Sequence, residues 1–329
     1  MNLIENIPLA NPLSVHIETV NKCNFSCVYC PESYDNYGDL VGGFRSLTLN
    51  EFELICGQLK QLGKVSVVKL WIMGEPLLNP NLGKMIKMLK DFDGEELCER
   101  IEVTTNGSAL TQKRITELLE TPLDKIFISI YGIGEQHRKI TQSAVSDLKI
   151  LENVALLKTM RDAISDSKLK IICKTVDPLN DAELHQFVKR YEPLADEIEV
   201  KISHSWIEGG ENSILRNVFD STKINLIQGS ATKEKISCPF PFYTVAIHAN
   251  GDVSPCCVDW EKKVAVGNVF ETPLKEIWNG AELKSLQVAH LSGKKTSVQG
   301  CKNCEYFQRN CNENLDDSRQ IILKRLETL

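Results

Sequence analysis

The strongest constraint on this chain is an alternation. Between residue 13 and about residue 203, short runs rich in Val and Ile, apolar on both faces, take turns with amphipathic stretches. The runs are Leu13–Glu18, Val65–Ile72, Ile101–Thr105, Lys125–Ile130, Leu169–Thr175 and Glu197–Ile202. Strands that are apolar on both faces belong to parallel sheets covered by helices. The intervening stretches carry helix start signals: Thr48 or Asn50 before Glu51–Gln61, Asn79-Pro80 before Leu82–Leu89, Thr111 before Arg114–Leu119, Ser143 or Ser146 before Leu148–Arg161, and Asn180 before Glu183–Arg190. Six strands joined by right-handed crossover helices predict a parallel α/β domain, with its chemistry on the loops after the strands. Periodicity alone leaves open whether such a sheet closes.

After Ser203 the pattern changes. A polar, glycine-containing stretch runs to Lys235, and then Tyr243–His248, the turn Ala249-Asn250-Gly251 and Val253 predict a β-hairpin. A short strand at Val264–Val269, helices at Leu274–Trp278 and Leu283–His290, a cysteine loop and a terminal helix near Leu315–Leu326 complete a smaller α+β module. The expected domains are residues 1–215 and 216–329. No apolar run approaches the ~20 residues that span a bilayer, and MNLIENIPLA lacks the basic and apolar regions of an export signal, so the expected location is the cytoplasm. A net charge of −6 without a Lys/Arg run argues against a phosphate-driven hold on nucleic acid.

In a reducing compartment the 12 cysteines are not a disulfide scaffold. Cys23, Cys27 and Cys30 stand as C-x3-C-x2-C directly after the first strand, and Cys238, Cys256, Cys257, Cys301, Cys304 and Cys311 gather toward the C-terminus. Cys56, Cys98 and Cys173 fall singly in helical or strand-like segments and read as small buried hydrophobes. Thiolates select zinc or an iron–sulfur cluster. Structural zinc wants a fourth protein ligand, whereas three local thiolates on a cluster leave one iron open.

VNKCNFSCVYC, with Tyr29 between the last two cysteines, resembles the radical S-adenosylmethionine (SAM) superfamily. The resemblance implies a partial (β/α)6 barrel in which Cys23, Cys27 and Cys30 bind a [4Fe–4S] cluster. The open iron then chelates the amino and carboxylate groups of SAM, and an electron from the cluster yields a 5′-deoxyadenosyl radical. It extends to Trp71-Ile72-Met73-Gly74-Glu75-Pro76, similar to the family's Gly-Gly-Glu-Pro segment but with Met73 in place of the first glycine. Gly74 and Glu75 are thereby expected at the SAM amino group. Thr104-Thr105-Asn106-Gly107 and Ser129-Ile130-Tyr131-Gly132 match segments that line the SAM pocket, which brings in Asn106 and Ser129. A basic residue pairing with the SAM carboxylate would be Arg138, with Thr141 as the competing position.

The later cysteines resemble the SPASM and twitch modules of that superfamily, in which cysteine, a glycine turn and a second cysteine open the motif. This implies an auxiliary [4Fe–4S] cluster on Cys238, Cys256, Cys301 and Cys304; zinc in the same thiolates is the alternative, and Cys257 and Cys311 are further ligand candidates. The cysteine spacing is very close to that of the twitch-bearing aminocyclitol dehydrogenases. That resemblance implies oxidation of a sugar or cyclitol alcohol, with the auxiliary cluster taking an electron and a flavodoxin or ferredoxin as external donor. Peptide or protein modification, sugar epimerisation and a non-catalytic SAM-binding iron–sulfur protein are the other readings, a peptide needing a separate recognition partner. Strand ends offer Glu18, Lys174, Asp177, His204 and Trp206 to the substrate, with His204 or Lys174 as base for the hydroxyl proton. His16, inside the first strand, reads as a core histidine.

Overall fold

A computed structural model describes residues 3–177, 181–202, 235–311 and 313–328. Its centre is one nine-stranded sheet: β1 (Ser14–Ile17), β2 (Val65–Lys69), β3 (Cys98–Thr105), β4 (Lys125–Ser129), β5 (Lys170–Asp177), β6 (Glu197–Ile202), β7 (Thr244–Ile247), β8 (Asp252–Ser254) and β9 (Gly267–Asn268). The spatial order is β6-β5-β4-β3-β2-β1-β7-β8-β9. Strands β1 to β6 are parallel, as the alternation predicts.

The helices are α1 (Leu3–Asn6), α2 (Tyr37–Leu40), α3 (Leu49–Leu62), α4 (Leu82–Lys90), α5 (Gln112–Leu119), α6 (Glu135–Thr141), α7 (Asp147–Asp162), α8 (Asp181–Tyr191), α9 (Leu274–Trp278), α10 (Ala281–Leu291), α11 (Tyr306–Asn310) and α12 (Arg319–Glu327). Local chemistry decides two open starts. Thr48 caps α3 in a capping box, its hydroxyl accepting from Glu51 N while the Glu51 carboxylate accepts from Thr48 N. Ser146, not Ser143, caps α7 by accepting from Lys149 N at 3.2 Å. The start expected at Asn180 lies outside the described residues.

One face of the sheet carries Val15, Ile17, Val68, Ile101, Val103, Ile126, Ile128, Ile171 and Cys173, which pack with Phe52, Ile55, Leu59, Met85, Ile115, Val154 and Leu157 of the crossover helices. Cys56, Cys98 and Cys173 are fully buried in this core, as expected of packing residues. The alternate positions, His16, Lys69, Glu102, Thr104, Phe127, Ser129, Lys174 and Glu199, share the opposite face. That face is polar.

The smaller module is not separate from the sheet. Strand β7 runs parallel to β1, with Ser14 opposite Thr244 and His16 opposite Ala246, so the hairpin extends the larger domain's sheet. The expected boundary at 215/216 lies outside the described residues. Two expected elements shrink for visible reasons. Val264 N is taken by the Asp259 carboxylate, so the run Val264–Val269 keeps only Gly267–Asn268 as strand. A tight turn at Asp316–Ser318 delays the last helix to Arg319.

Candidate active site

The first cysteine loop leaves the carboxyl end of β1 and is pinned from three sides. From β2 comes the segment Met73-Gly74-Glu75. Glu75 N donates to Lys22 O at 3.0 Å. Gly74 has φ +72°, and a Cβ there would overlap the Val20 carbonyl oxygen and lie 2.9 Å from Lys22 N, so only glycine fits. From α6, Thr141 O accepts from Ser26 N at 3.2 Å and Ile140 O from Val28 N at 2.9 Å. From the end of β3, the Asn106 amide donates to Asn24 Oδ1 at 3.0 Å and reaches Cys23 Sγ at 3.7 Å.

Glu75 is the keystone of this arrangement. Its carboxylate accepts from Thr105 Oγ1 at 2.7 Å, Leu77 N at 3.0 Å and Asn106 N at 2.7 Å. Burial raises its carboxyl above the ordinary value while these bonds oppose the rise. Asn106 Oδ1 in turn accepts from Ser108 N and Oγ, which fixes the amide's orientation. Tyr29 packs edge-on against Tyr131, ring centroids 5.0 Å apart, and Ser129 is buried at the end of β4.

Met73, the departure from the family's glycine, has an evident role. Its N–H donates to Glu18 Oε1 at 3.2 Å, and its side chain packs in a cluster with Tyr37, Val41, Ile72, Ala246, Cys257 and Trp260. Arg138, expected at the SAM carboxylate, lies on the same helix as Thr141. It is exposed on α6 and makes no side-chain hydrogen bond or ion pair among the described residues, while His137, Ile140 and Thr141 hold the buried face. Ile140 and Thr141 are the residues of α6 whose carbonyls meet the cysteine loop.

Cys27 is buried and Cys23 and Cys30 half-buried. Burial comes first in holding their thiols above the ordinary value, Cys27 at about 12, and each thiol also feels the charge of another in the triad. Metal coordination reverses this by stabilising the thiolate. Among the described residues no group of three or more His, Cys, Asp or Glu has the spacing of ligands around a single metal ion. A cluster is larger than an ion, and three neighbouring thiols on one loop match its donor chemistry.

The second group is assembled from distant segments. Burial and then the charges of Cys304, Cys311 and Cys301 raise the Cys238 thiol; Cys256 is raised by burial and then by Cys238, Cys257, Asp259 and Cys304. Cys238 therefore lies within electrostatic reach of Cys256, Cys301 and Cys304. Lys295 Nζ ties the later pair by donating to Cys301 O at 2.7 Å and Cys304 O at 2.8 Å. Asp259 organises the loop after Cys256, accepting from Ser254 Oγ, Lys263 N and Val264 N. Gly251, with φ +89°, makes the hairpin turn. Cys257 faces the Met73 cluster, and Cys311 Sγ donates to Phe307 O at 3.0 Å.

The model of the radical SAM superfamily matches residues 17–190, more than half of the chain, with the first cysteine loop inside it. The chain belongs to the radical SAM superfamily. The iron–sulfur cluster-binding domain SPASM matches residues 238–305, which includes Cys238, Cys256, Cys301 and Cys304 but not Cys311. This radical SAM chain is 23% identical to the S-adenosyl-L-methionine-dependent 2-deoxy-scyllo-inosamine dehydrogenase of Niallia circulans, over 92% of this chain and 96% of the relative. The crystal structure of BtrN in complex with AdoMet and 2-DOIA superposes with a TM-score of 0.57 and 20% identity, over 92% and 97% of the two chains. The structure of anSMEcpe with bound AdoMet gives 0.60 and 16%, over 96% and 94%. The radical SAM fold is thus shared along nearly the whole chain. The protein is an enzyme of this superfamily, and its cofactors are SAM and [4Fe–4S] clusters. No helix among the described residues is long and apolar enough to cross a membrane.

Lys174 lies on β5 opposite Ser129, its Nζ 3.5 Å from Thr104 Oγ1. His204 and Trp206 lie outside the described residues, and of Asp177 only the backbone is described. Two acids escape sequence reasoning in their actual roles. Glu32 accepts from Cys23 N at 3.2 Å, closing the cysteine loop; its only signal is its place just after Cys30-Pro31. Glu18 joins the two modules: Oε1 accepts from Met73 N and Oε2 from Ala249 N at 3.0 Å, with His248 Nδ1 3.8 Å away. Burial raises the Glu18 carboxyl to about 7 and lowers His248 to about 3, so the imidazole is neutral.

Proposed function

We propose that this enzyme oxidises a sugar or cyclitol alcohol to a ketone. The bound cofactors supply a 5′-deoxyadenosyl radical that takes the carbinol hydrogen atom and an auxiliary cluster that accepts the remaining electron. In this reading Cys23, Cys27 and Cys30 hold the first cluster, and Cys238, Cys256, Cys301 and Cys304 hold the second. Gly74, Glu75, Asn106, Ser129 and Tyr29 shape the SAM pocket. The hydroxyl proton leaves to a base at the carboxyl end of the sheet, with Lys174 and His204 as candidates. An external low-potential donor such as a flavodoxin or ferredoxin supplies the first electron.

One observation carries this reading: a three-thiol loop follows β1 and a second group of thiols gathers beside the hairpin that extends the same sheet, the two joined through Glu18, in a chain similar over 92% of its length to a 2-deoxy-scyllo-inosamine dehydrogenase. Three thiols leave an iron for SAM, and four leave none, which suits electron transfer. Anaerobic reconstitution with reductant and SAM tests it. The expected result is 5′-deoxyadenosine and a ketone in equal amounts from a polyol panel; 5′-deoxyadenosine without any oxidised product overturns the oxidation.

A further inference from the structure

The hydroxyl of Tyr37 is a buried donor with nothing to donate to. Its position follows from the way the chain leaves the first cysteine loop. Cys30 O accepts from Ser33 N at 2.9 Å, Pro31 O accepts from Tyr34 N at 2.9 Å, and Tyr34 O accepts from Tyr37 N at 3.1 Å. These successive tight turns curl the segment back on itself and bring Tyr37 to the start of α2. There the side chain is 2% exposed, and its oxygen has no hydrogen-bond partner among the described residues. A buried, unpaired hydroxyl is costly unless a bound group meets it.

Aromatic neighbours fix the ring. Trp260, from the loop after Cys256, lies 5.7 Å from it between centroids, and Phe44 lies 6.0 Å away, both in tilted contacts. Met73, Val41 and Cys257 belong to the same packed group, and Cys30 packs against it. What the hydroxyl faces is shown by what acts on it: burial comes first in raising it, followed by the charges of Glu18, Glu32, Cys30 and Cys23. Neither acid takes its proton. Glu18 accepts from Met73 N and Ala249 N, and Glu32 from Cys23 N, while Glu32 Oε1 is itself unpaired and not bonded to the phenol. The other two neighbours are thiols of the first loop. Cys23 Sγ accepts from Phe25 N at 3.4 Å and has the Asn106 amide beside it. Cys30 acts on the phenol more strongly than Cys23 and packs against the phenol's own group, so the hydroxyl lies on its side of the loop.

We propose that the Tyr37 hydroxyl donates a hydrogen bond to sulfur on the Cys30 side of the first cluster, either the Cys30 thiolate or the sulfide beside it, and thereby holds that cluster's reduction potential up. The inference rests on the reading above that Cys23, Cys27 and Cys30 ligate this cluster. A cluster's potential follows its charge, its solvent exposure and the hydrogen bonds to its sulfurs. Burial and the neighbouring acids disfavour an added electron, and a donor to sulfur favours it. Tyr37 thus acts on how readily the cluster takes the external donor's electron.

The test is the midpoint potential of each cluster in the fully reconstituted enzyme without SAM, followed by electron paramagnetic resonance. Tyr37→Phe should take up the parent's iron, because it removes only an oxygen that the folded chain leaves unpaired. Its first cluster should be about tenfold harder to reduce, a fall of about 59 mV for one electron, while the auxiliary potential keeps the parent value. Reduced parent enzyme in deuterium oxide should also show an exchangeable deuteron, coupled to the first cluster, that Tyr37→Phe lacks. An unchanged or raised first potential, an equal shift in both clusters, or an unchanged deuteron coupling overturns the proposal. If Tyr37→Phe takes up no first cluster, a ring-fluorinated tyrosine in place of Tyr37 decides: it keeps the donor, and its fluorine should couple to the reduced first cluster. Absence of that coupling overturns the proposal. A parent chain that takes up no first cluster sinks the ligand assignment and this inference with it, whereas a loaded cluster indifferent to Tyr37 sinks this inference alone.

Discussion

The two cysteine groups differ in how they are built. Cys23, Cys27 and Cys30 share one loop, and neighbouring strand ends and α6 merely press it into place through backbone bonds and Gly74. Cys238, Cys256, Cys301 and Cys304 come from three separate stretches, held by the side chains of Asp259 and Lys295. A local loop keeps its donors together whatever its surroundings do. A dispersed group depends on every segment being placed at once, so its weak points are the polar side chains that join the segments.

The largest effects should separate the groups outright. Cys23→Ala is expected to abolish 5′-deoxyadenosine formation, by about a thousandfold or more, and to lower iron by one cluster's content. Cys256→Ala should remove the other cluster yet leave SAM cleavage measurable, with ketone formation lost. If both substitutions abolish SAM cleavage equally, the division of labour is wrong. Cys257→Ala sharpens the same comparison: its side chain belongs to the Met73 cluster, so iron content should stay at the parent value.

Gly74→Ala is the next largest. The added Cβ meets backbone at Val20 and Lys22 and the left-handed φ adds strain, so a loss of about 3 kcal/mol or more is expected. Because the collision is with the first loop alone, SAM affinity and the first cluster should suffer while the second cluster's spectrum survives. Asp259→Ala is the mirror experiment. It strips acceptors from Ser254 Oγ, Lys263 N and Val264 N, at a cost of about 2–4 kcal/mol, and should lower auxiliary iron while sparing SAM binding.

What was legible in the sequence follows the same division between local and dispersed. The strands and the helix starts at Thr48, Thr111 and Ser146 are written in neighbouring residues, and so is the cysteine loop. The parallel pairing of β7 with β1 is not, because nothing in Thr244–Ile247 names its partner strand. Arg138 stands in a helix of seven residues, too short for its apolar period to fix which side faces the loop. Glu18 and Glu32 are ordinary acids in sequence, and only folding brings backbone N–H groups from other elements to them.

The smallest effect concerns the residue that spans both groups. Glu18 accepts one N–H from the loop beside the first cysteines and another from the turn before Cys256. Its carboxyl is raised from 4.5 to about 7, chiefly by burial, so between those values the folded chain binds a proton that the unfolded chain has released. The stability this contributes is complete below about pH 4.5 and is lost as pH rises through about 7. Glu18→Gln cannot ionise and should flatten that decline. Relative to this variant, the parent should lose on the order of 1–3 kcal/mol between about pH 5 and 8, read as a few degrees in Tm with both clusters in place. Glu32, also raised by burial, is present in both proteins and cancels in the difference. Parallel curves for the two proteins would show that water or a neighbour neutralises Glu18 at every pH, and that the joint between the groups is not a protonation-sensitive one.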